Sequence, residues 1–470
     1  MPTPSPTTLT IAQAAARIAD HELSSLELTQ AYLDRIARLN PLINAYITVT
    51  ADRALEDARR ADAELAAGTS RGPLHGIPIA LKDLYETAGI RTTAGSKVFA
   101  DYVPEHDSTA ARKLREAGSV LLGKTNTHEF AWGTTTNNPH YGATHNPWDT
   151  SRIPGGSSGG SGAAIAAHLA VGTLGTDTGG SIRIPAALCG CVGMKPTFGR
   201  ASKAGVFPMS WAFDHPGPIT QTVEDAAIML GVIAGYDPAD FATVPVPVPD
   251  YRAALTGDIR GLRIGVQRSS FFDLLDDEVR VAVELAIEQL RELGADVREV
   301  DSCVTRQQIN DAWPLVNAES QAYHQKAFAE RPQDFGADLQ AILSIPLPDA
   351  LGLSCAYRAS YDVKEGFRQL LEEVDLLVSP TCLAPASVIG QETVEVAGVT
   401  LVPGSAFASL TMPFNVAGLP ALSLPCGFTS SGLPIGLQLA GRPFDESTVL
   451  RAGHAYEQAA EWHKRVAPLG

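Results

Sequence analysis

The stretch from Ser151 to Thr197 limits this chain most: it is rich in Gly, Ser and Ala, carries few charges, and holds two serine-bearing glycine turns, PGGSSGGSGAA (154–164) and DTGGS (177–181). Residues this small let backbones approach closely. A Gly/Ser run alone also has the composition of a flexible tether. Here it passes directly into AAIAAHLAVGTLGTDTGGSIRIPAA, which is too uniformly apolar to be one. Two tight serine turns joined by a buried segment read as a built site.

Around this stretch the chain alternates helix and strand. A capping box, Ser24 to Glu27, opens a helix whose face is marked by Leu28, Tyr32, Ile36 and Leu39, and Asn40-Pro41 is expected to end it. A second helix is expected over Ala51 to Ala67. HGIPIALKDLYET follows as a buried strand opening into a loop, with Lys82 at the strand's end. Ser108 to Ala117 reads as a short helix stopped by Gly118, and SVLLG as the next strand. TVPVPVPDY (243–251) resembles an extended linker. GLRIGV, the helix Asp277–Leu293 and ADVREV then form a strand–helix–strand unit. A helical stretch over about 307–373 precedes VDLLVSP, ALSLPCGF and LPIGLQLAG, the last two separated by a turn at TSSG. The pattern predicts an α/β fold. One large domain fits better than two, with a boundary near residue 245 as the alternative.

A formal charge of −16 argues against a chain that itself grips phosphate backbones, so no nucleic-acid partner is expected. MPTPSPTTLT lacks the basic and apolar regions of a signal peptide, and no stretch has the length of a membrane span; a cytoplasmic protein is expected. Cys189, Cys191, Cys303, Cys355, Cys382 and Cys426 show neither C-x-x-C pairs nor ligand-spaced histidines, so they read as buried free thiols. Neither a metal nor a cofactor is expected.

Two motifs invite other functions. GSVLLGKT (Gly118 to Thr125) matches the phosphate-loop pattern, but a charged helix precedes it and apolar residues fill the loop positions, so Lys124 reads as structural. GGSSG holds G-x-S-x-G centred on Ser157 or Ser158, which raises an α/β-hydrolase esterase with a histidine base; His215, His324, His454 and His463 lie downstream. The segment before it, PWDTSRIP, is a poor strand for launching that turn. DTGGS presents consecutive N–H groups suited to an oxyanion, although its glycines equally suit a plain turn. Lys82 and Arg183 have bland readings too, as a rim lysine paired with Asp83 and as a strut for the turn.

GIPIALKD (76–83), PGGSSGGSGAA and GTDTGGSIRIPAALCGCVGMKPT (175–197) together resemble the amidase signature family, and FGRASKAGVFP, FDHPGPIT, FNVAGLPALSLPCG and GLPIGLQLAGRPFDE continue the likeness. The resemblance implies one domain over 1–470, a mixed sheet wrapped by helices. Its expected parts are N-terminal helices to about 70, a signature core over 71–240, a variable pocket region over 250–375, and C-terminal strands and helix over 376–470. It implies Lys82 as base, Ser157 as bridging serine after a cis peptide, and Ser181 as nucleophile, with Thr178, Gly179, Gly180 and Ser181 supplying oxyanion N–H groups. The spacings of 75 and 24 residues agree with the family pattern and select Ser157 over Ser158.

The implied activity is hydrolysis of a carboxylic amide, or an ester or carbamate, through an acyl-enzyme on Ser181. A lysine can serve as base only if burial lowers its pKa, so Asp83 must point elsewhere. The alternative is the glutaminase subunit of a tRNA-dependent amidotransferase, which typically carries Gln where this chain has Ile184. The expected partner is a small-molecule amide, and a homodimer is compatible. Phe130, Trp132 and Trp313 are pocket candidates that equally suit the core.

Overall fold

A computed structural model describes residues 5–301 and 304–469, so Cys303 lies outside the described residues. Eleven strands form one mixed sheet. In chain order they are β1 (Tyr46–Val49), β2 (Pro78–Lys82), β3 (Val120–Thr125), β4 (Gly172–Asp177), β5 (Val192–Lys195), β6 (His215–Thr220), β7 (Arg263–Val266), β8 (Asp296–Glu299), β9 (Leu376–Pro380), β10 (Ala421–Phe428) and β11 (Pro434–Gly441). In space they run β1-β3-β2-β4-β6-β5-β10-β11-β9-β7-β8. Strands β3, β2 and β4 are parallel, as are β9, β7 and β8, and antiparallel pairs join the two groups. Every residue of β2, β4, β5, β6, β9 and β11 is buried, as a sheet covered on both faces by helices requires.

The pairing of β5 with β10 joins residues before and after 245 in one sheet. A boundary there would cut through a hydrogen-bonded ladder. Residues 244–250 contain neither helix nor strand and form a surface connection in a single domain.

The Ser24 capping box is made in both directions, with Ser24 Oγ accepting from the Glu27 amide at 3.0 Å and Glu27 Oε2 accepting from the Ser24 amide at 2.9 Å. That helix does not stop at Asn40-Pro41 but continues through Pro41 to Ile43. A proline so near the end forfeits only one bond, and Asn44, left-handed at φ 54°, closes the turn with its amide on the Asn40 carbonyl. The second helix ends at Ala66, with Ala67 as its cap.

The helix Gly159–Ala166 is wholly buried, and a Cβ on Gly160 would lie 2.4 Å from the Asn126 backbone and 2.6 Å from the Ala45 carbonyl oxygen. Glycine is required at that crossing. Lys124 sits inside β3, fully buried, with its ammonium donating to the Tyr85 carbonyl and Thr92 Oγ1. The phosphate-loop match is therefore a strand. Of the described cysteines, Cys189, Cys191, Cys382 and Cys426 are buried, but Cys355 is exposed on the helix Ala350–Glu373, whose amphipathic pattern turns it outward. Among the described residues no helix is long and apolar enough to cross a membrane.

Candidate active site

Lys82 ends β2, and the side chain of Thr176 projects from the neighbouring strand β4. The Lys82 ammonium lies 2.7 Å from Ser157 Oγ and 2.8 Å from Thr176 Oγ1, and all three residues are buried. Burial pushes the lysine down to about 7, against the opposing pull of the Asp214 and Asp177 carboxylates. Asp83, the neighbour in sequence, turns away: its carboxylate accepts from Thr93 and lies 3.6 Å from the Lys124 ammonium. The rim-lysine reading of Lys82 thus gives way to a buried amine facing a hydroxyl.

Ser157 follows a cis peptide bond from Gly156. Its carbonyl accepts from the His128 amide and from Thr127 Oγ1, which fixes the turn against the loop after β3. Ser158 Oγ donates instead to the Thr176 carbonyl, so the two adjacent serines have separate tasks. The Ser158 amide donates to the Ser181 carbonyl at 3.2 Å and brings the two glycine turns together.

The DTGGS turn is held by its first residue. Asp177 accepts from the amides of Gly180, Ile182 and Arg183 and from both Asn415 Nδ2 and the Arg183 guanidinium. Burial alone would raise this carboxyl, but the guanidinium and its other partners hold it well below the ordinary carboxylate range. Arg183 is fully buried, with all five N–H bonds used, on Asp177 and on the Thr411 carbonyl, Gln438 Oε1 and Asn415 Oδ1. It is the strut that its bland reading described. Because Asp177 takes the Gly180 amide, that N–H is not free for an oxyanion. Among the described residues the amides of Gly179 and Ser181 meet no protein acceptor.

Ser181 opens into a cavity of about 880 Å³ lined by Gly179, Ile184, Trp132, Trp313, Met209 and Met412, with His128, Asp338 and Arg306 among its polar groups. Trp132 and Trp313 meet edge to face at 6.5 Å. Phe130 does not line this cavity; it is buried against Phe99, Phe207, His324 and Phe335, because its loop turns left-handed there at φ 45° and points the ring into the core. His128 Nε2 lies 2.7 Å from Asp338 Oδ2. Sequence reasoning missed this pair, whose members are 210 residues apart. Thr176 and Asp177 have no role in the sequence reading either, although an aspartate three residues before a glycine amide is a turn-capping signal. Of the downstream histidines, His215 is tied to backbone carbonyls and His324 packs among aromatic rings, and neither they nor His454 and His463 line the cavity. The α/β-hydrolase reading, which needs a histidine downstream of the serine turns, finds no base among these histidines. Among the described residues no cluster of three or more His, Cys, Asp or Glu could hold a metal ion.

The amidase family model matches residues 27–450. The chain belongs to the amidase signature family. It is 42% identical over 491 residues, 98% of this chain and 99% of the relative, to a glutamyl-tRNA(Gln) amidotransferase subunit of Geobacter metallireducens. A chain from the solved structure of a vestigial protein complex, one that bears on the evolutionary origins of an s-triazine catabolic enzyme, superposes with a TM-score of 0.92 at 36% identity, over 96% of this chain and 98% of its own. A bacterial aryl acylamidase of the amidase signature family gives 0.90 at 27%, over 98% and 99%.

These relatives correct one expectation. A small-molecule amide as the only partner, with no nucleic acid, does not stand against a relative that is one subunit of an enzyme named for glutamyl-tRNA(Gln). Net charge bounds what a chain grips by itself and carries no information about a surface contributed by another polypeptide.

Proposed function

We propose that this amidase family member hydrolyses a carboxylic amide C–N bond through an acyl-enzyme on Ser181. The observation that carries the reading is the 2.7 Å contact between a buried lysine and Ser157 Oγ, one residue from the amide that binds the Ser181 carbonyl. Neutral Lys82 takes the Ser181 proton through Ser157 as Ser181 Oγ attacks the carbonyl carbon. The oxyanion is met by the amides of Gly179 and Ser181, with Thr178 beside them, in a site where dipoles act at low dielectric. Lys82 returns the proton through Ser157 to the leaving nitrogen, the C–N bond breaks, and water hydrolyses the acyl-enzyme. The test is intact-mass detection of an acyl or sulfonyl adduct on the wild-type chain. Ser181→Ala should abolish both the adduct and amide hydrolysis; an adduct that persists in that variant moves the nucleophile elsewhere.

The relatives favour a finer reading, the glutaminase-type subunit of a tRNA-dependent amidotransferase assembly, over a stand-alone amidase. Two features favour a different amide: Ile184 in the cavity wall, where that subunit typically carries Gln, and the apolar lining around it. Co-purification of partner subunits together with ammonia release from glutamine supports the assembly reading. A monodisperse chain that ignores glutamine supports the stand-alone one.

A further inference from the structure

The cavity over Ser181 has one wall pressed against the turn that carries the expected oxyanion amides. A Cβ on Gly179 would lie 2.9 Å from Trp313 Cη2 and 3.3 Å from Met412 Cγ, so glycine is what admits the indole and the thioether to the backbone there. Trp313 stands where the helix Arg306–Ala312 hands over to Pro314–Glu330, with its amide on the Asn310 carbonyl. Trp132 backs it edge to face at 87° and is itself fixed by its indole N–H donating to Ser320 Oγ at 2.5 Å. Two anchored rings therefore border the place where an amide carbonyl would lie. Of the charged groups on the cavity wall, His128 and Asp338 are engaged with each other and Arg306 donates to the Ser270 carbonyl at 3.2 Å.

We infer that Trp313 is a specificity-determining residue of this site, and that it selects amides carrying an aromatic or extended apolar acyl group over small polar amides such as glutamine. A carbonyl aimed at the Gly179 amide brings its acyl substituent against Trp313. An apolar substituent gains by leaving water there, whereas a substituent bearing an ammonium and a carboxylate loses hydration. Ring against ring adds an edge or offset contact that an aliphatic chain lacks. Met412 and Met209 give the same wall room to adapt, since thioether side chains rearrange at low cost. The inference deepens the amide-hydrolase reading and rests on it.

The experiment compares kcat/KM for benzamide, acetamide and L-glutamine, by ammonia release from the full chain, in wild type, Trp313→Ala, Trp313→Phe and Ser181→Ala. Wild type should prefer benzamide to both other amides by roughly 100-fold, the scale of discrimination available to an apolar pocket. In Trp313→Ala the benzamide-to-acetamide ratio should fall by about tenfold or more, mainly through KM, as expected for lost binding shared by ground and transition states. Trp313→Phe should restore most of the ratio. Melting temperatures of the variants separate this from a structural role, which would lower both rates together and leave the ratio unmoved. An unmoved ratio overturns the inference. So does absence of benzamide hydrolysis by wild type, whatever other amide is cut. The nucleophile reading fails by a different sign, hydrolysis that survives Ser181→Ala.

Discussion

The base is the point at which this site differs most from histidine-dependent hydrolases, and its pH response can be worked from the structure. An ordinary lysine near 10.5 is neutral about once in 3,000 molecules at pH 7, whereas Lys82, pushed down to about 7 by burial, is neutral in half of them. The shift corresponds to about 5 kcal/mol between the charged and neutral forms. Only the neutral amine can accept the Ser181 proton, so kcat/KM should be flat above pH 8 and fall about tenfold per unit below pH 7, to about 1% by pH 5. The assay is kcat/KM for one amide from pH 5 to 10, because that ratio reports groups of the free enzyme. Lys82→Arg keeps the charge but cannot lose it, and should be inactive throughout the range. Circular dichroism and melting temperature must first show that the variant is folded. A wild-type profile that stays flat down to pH 5, or a folded Lys82→Arg chain with near wild-type kcat/KM, refutes the assignment of Lys82 as base.

The same lowered pKa makes Lys82 a burden on stability. Between pH 7 and about 10.5 the unfolded chain binds more protons than the folded one, so stability rises with pH, and the cost is complete below pH 7. Lys82→Met should therefore raise the melting temperature more at pH 6 than at pH 10, and an equal shift at both sinks the argument. Ser181→Ala should leave the melting temperature near wild type while amide hydrolysis drops at least about a thousandfold, measured with substrate in excess. Arg183→Met leaves the buried Asp177 carboxylate without its cation and should cost about 3–5 kcal/mol by denaturant titration; a loss near zero would mean that water replaces the guanidinium. ATP and GTP should not shift the melting temperature, since Lys124 and its glycine lie within β3, and a clear nucleotide-dependent rise would contradict that placement.

Much of this was legible in the sequence where the signal is local. The Ser24 capping box, the buried strand ending at Lys82 and the close-packed glycines each follow from residue chemistry over a few positions. Three motifs in order supplied Lys82, Ser157 and Ser181, and the structure brings the first two into contact. What failed was decided by left-handed residues, by competition for a backbone amide, or by segments far apart in the chain. Asn40-Pro41 does not stop its helix, because the ending is set by Asn44 and its bond to Asn40. Phe130 lies in the core because a left-handed loop turns it there, and nothing in EFAW signals that turn. Gly180 lost its expected task to Asp177, and the His128–Asp338 pair needed two remote segments to meet. The partner expectation failed for another reason, since a charge count describes one chain and not an assembly.

The clamp on the nucleophile turn also sets when the site can exist. Arg183 finds three of its acceptors at Thr411, Asn415 and Gln438, which follow it by 228, 232 and 255 residues. At typical translation speeds the last of these emerges roughly 10 to 50 s after the turn itself. Throughout that interval the guanidinium lacks those partners, and β10, the neighbour of β5, has yet to be made. The nucleophile turn is thus synthesised early, and its clamp is completed late. A nascent chain halted before residue 411 should hold no working site.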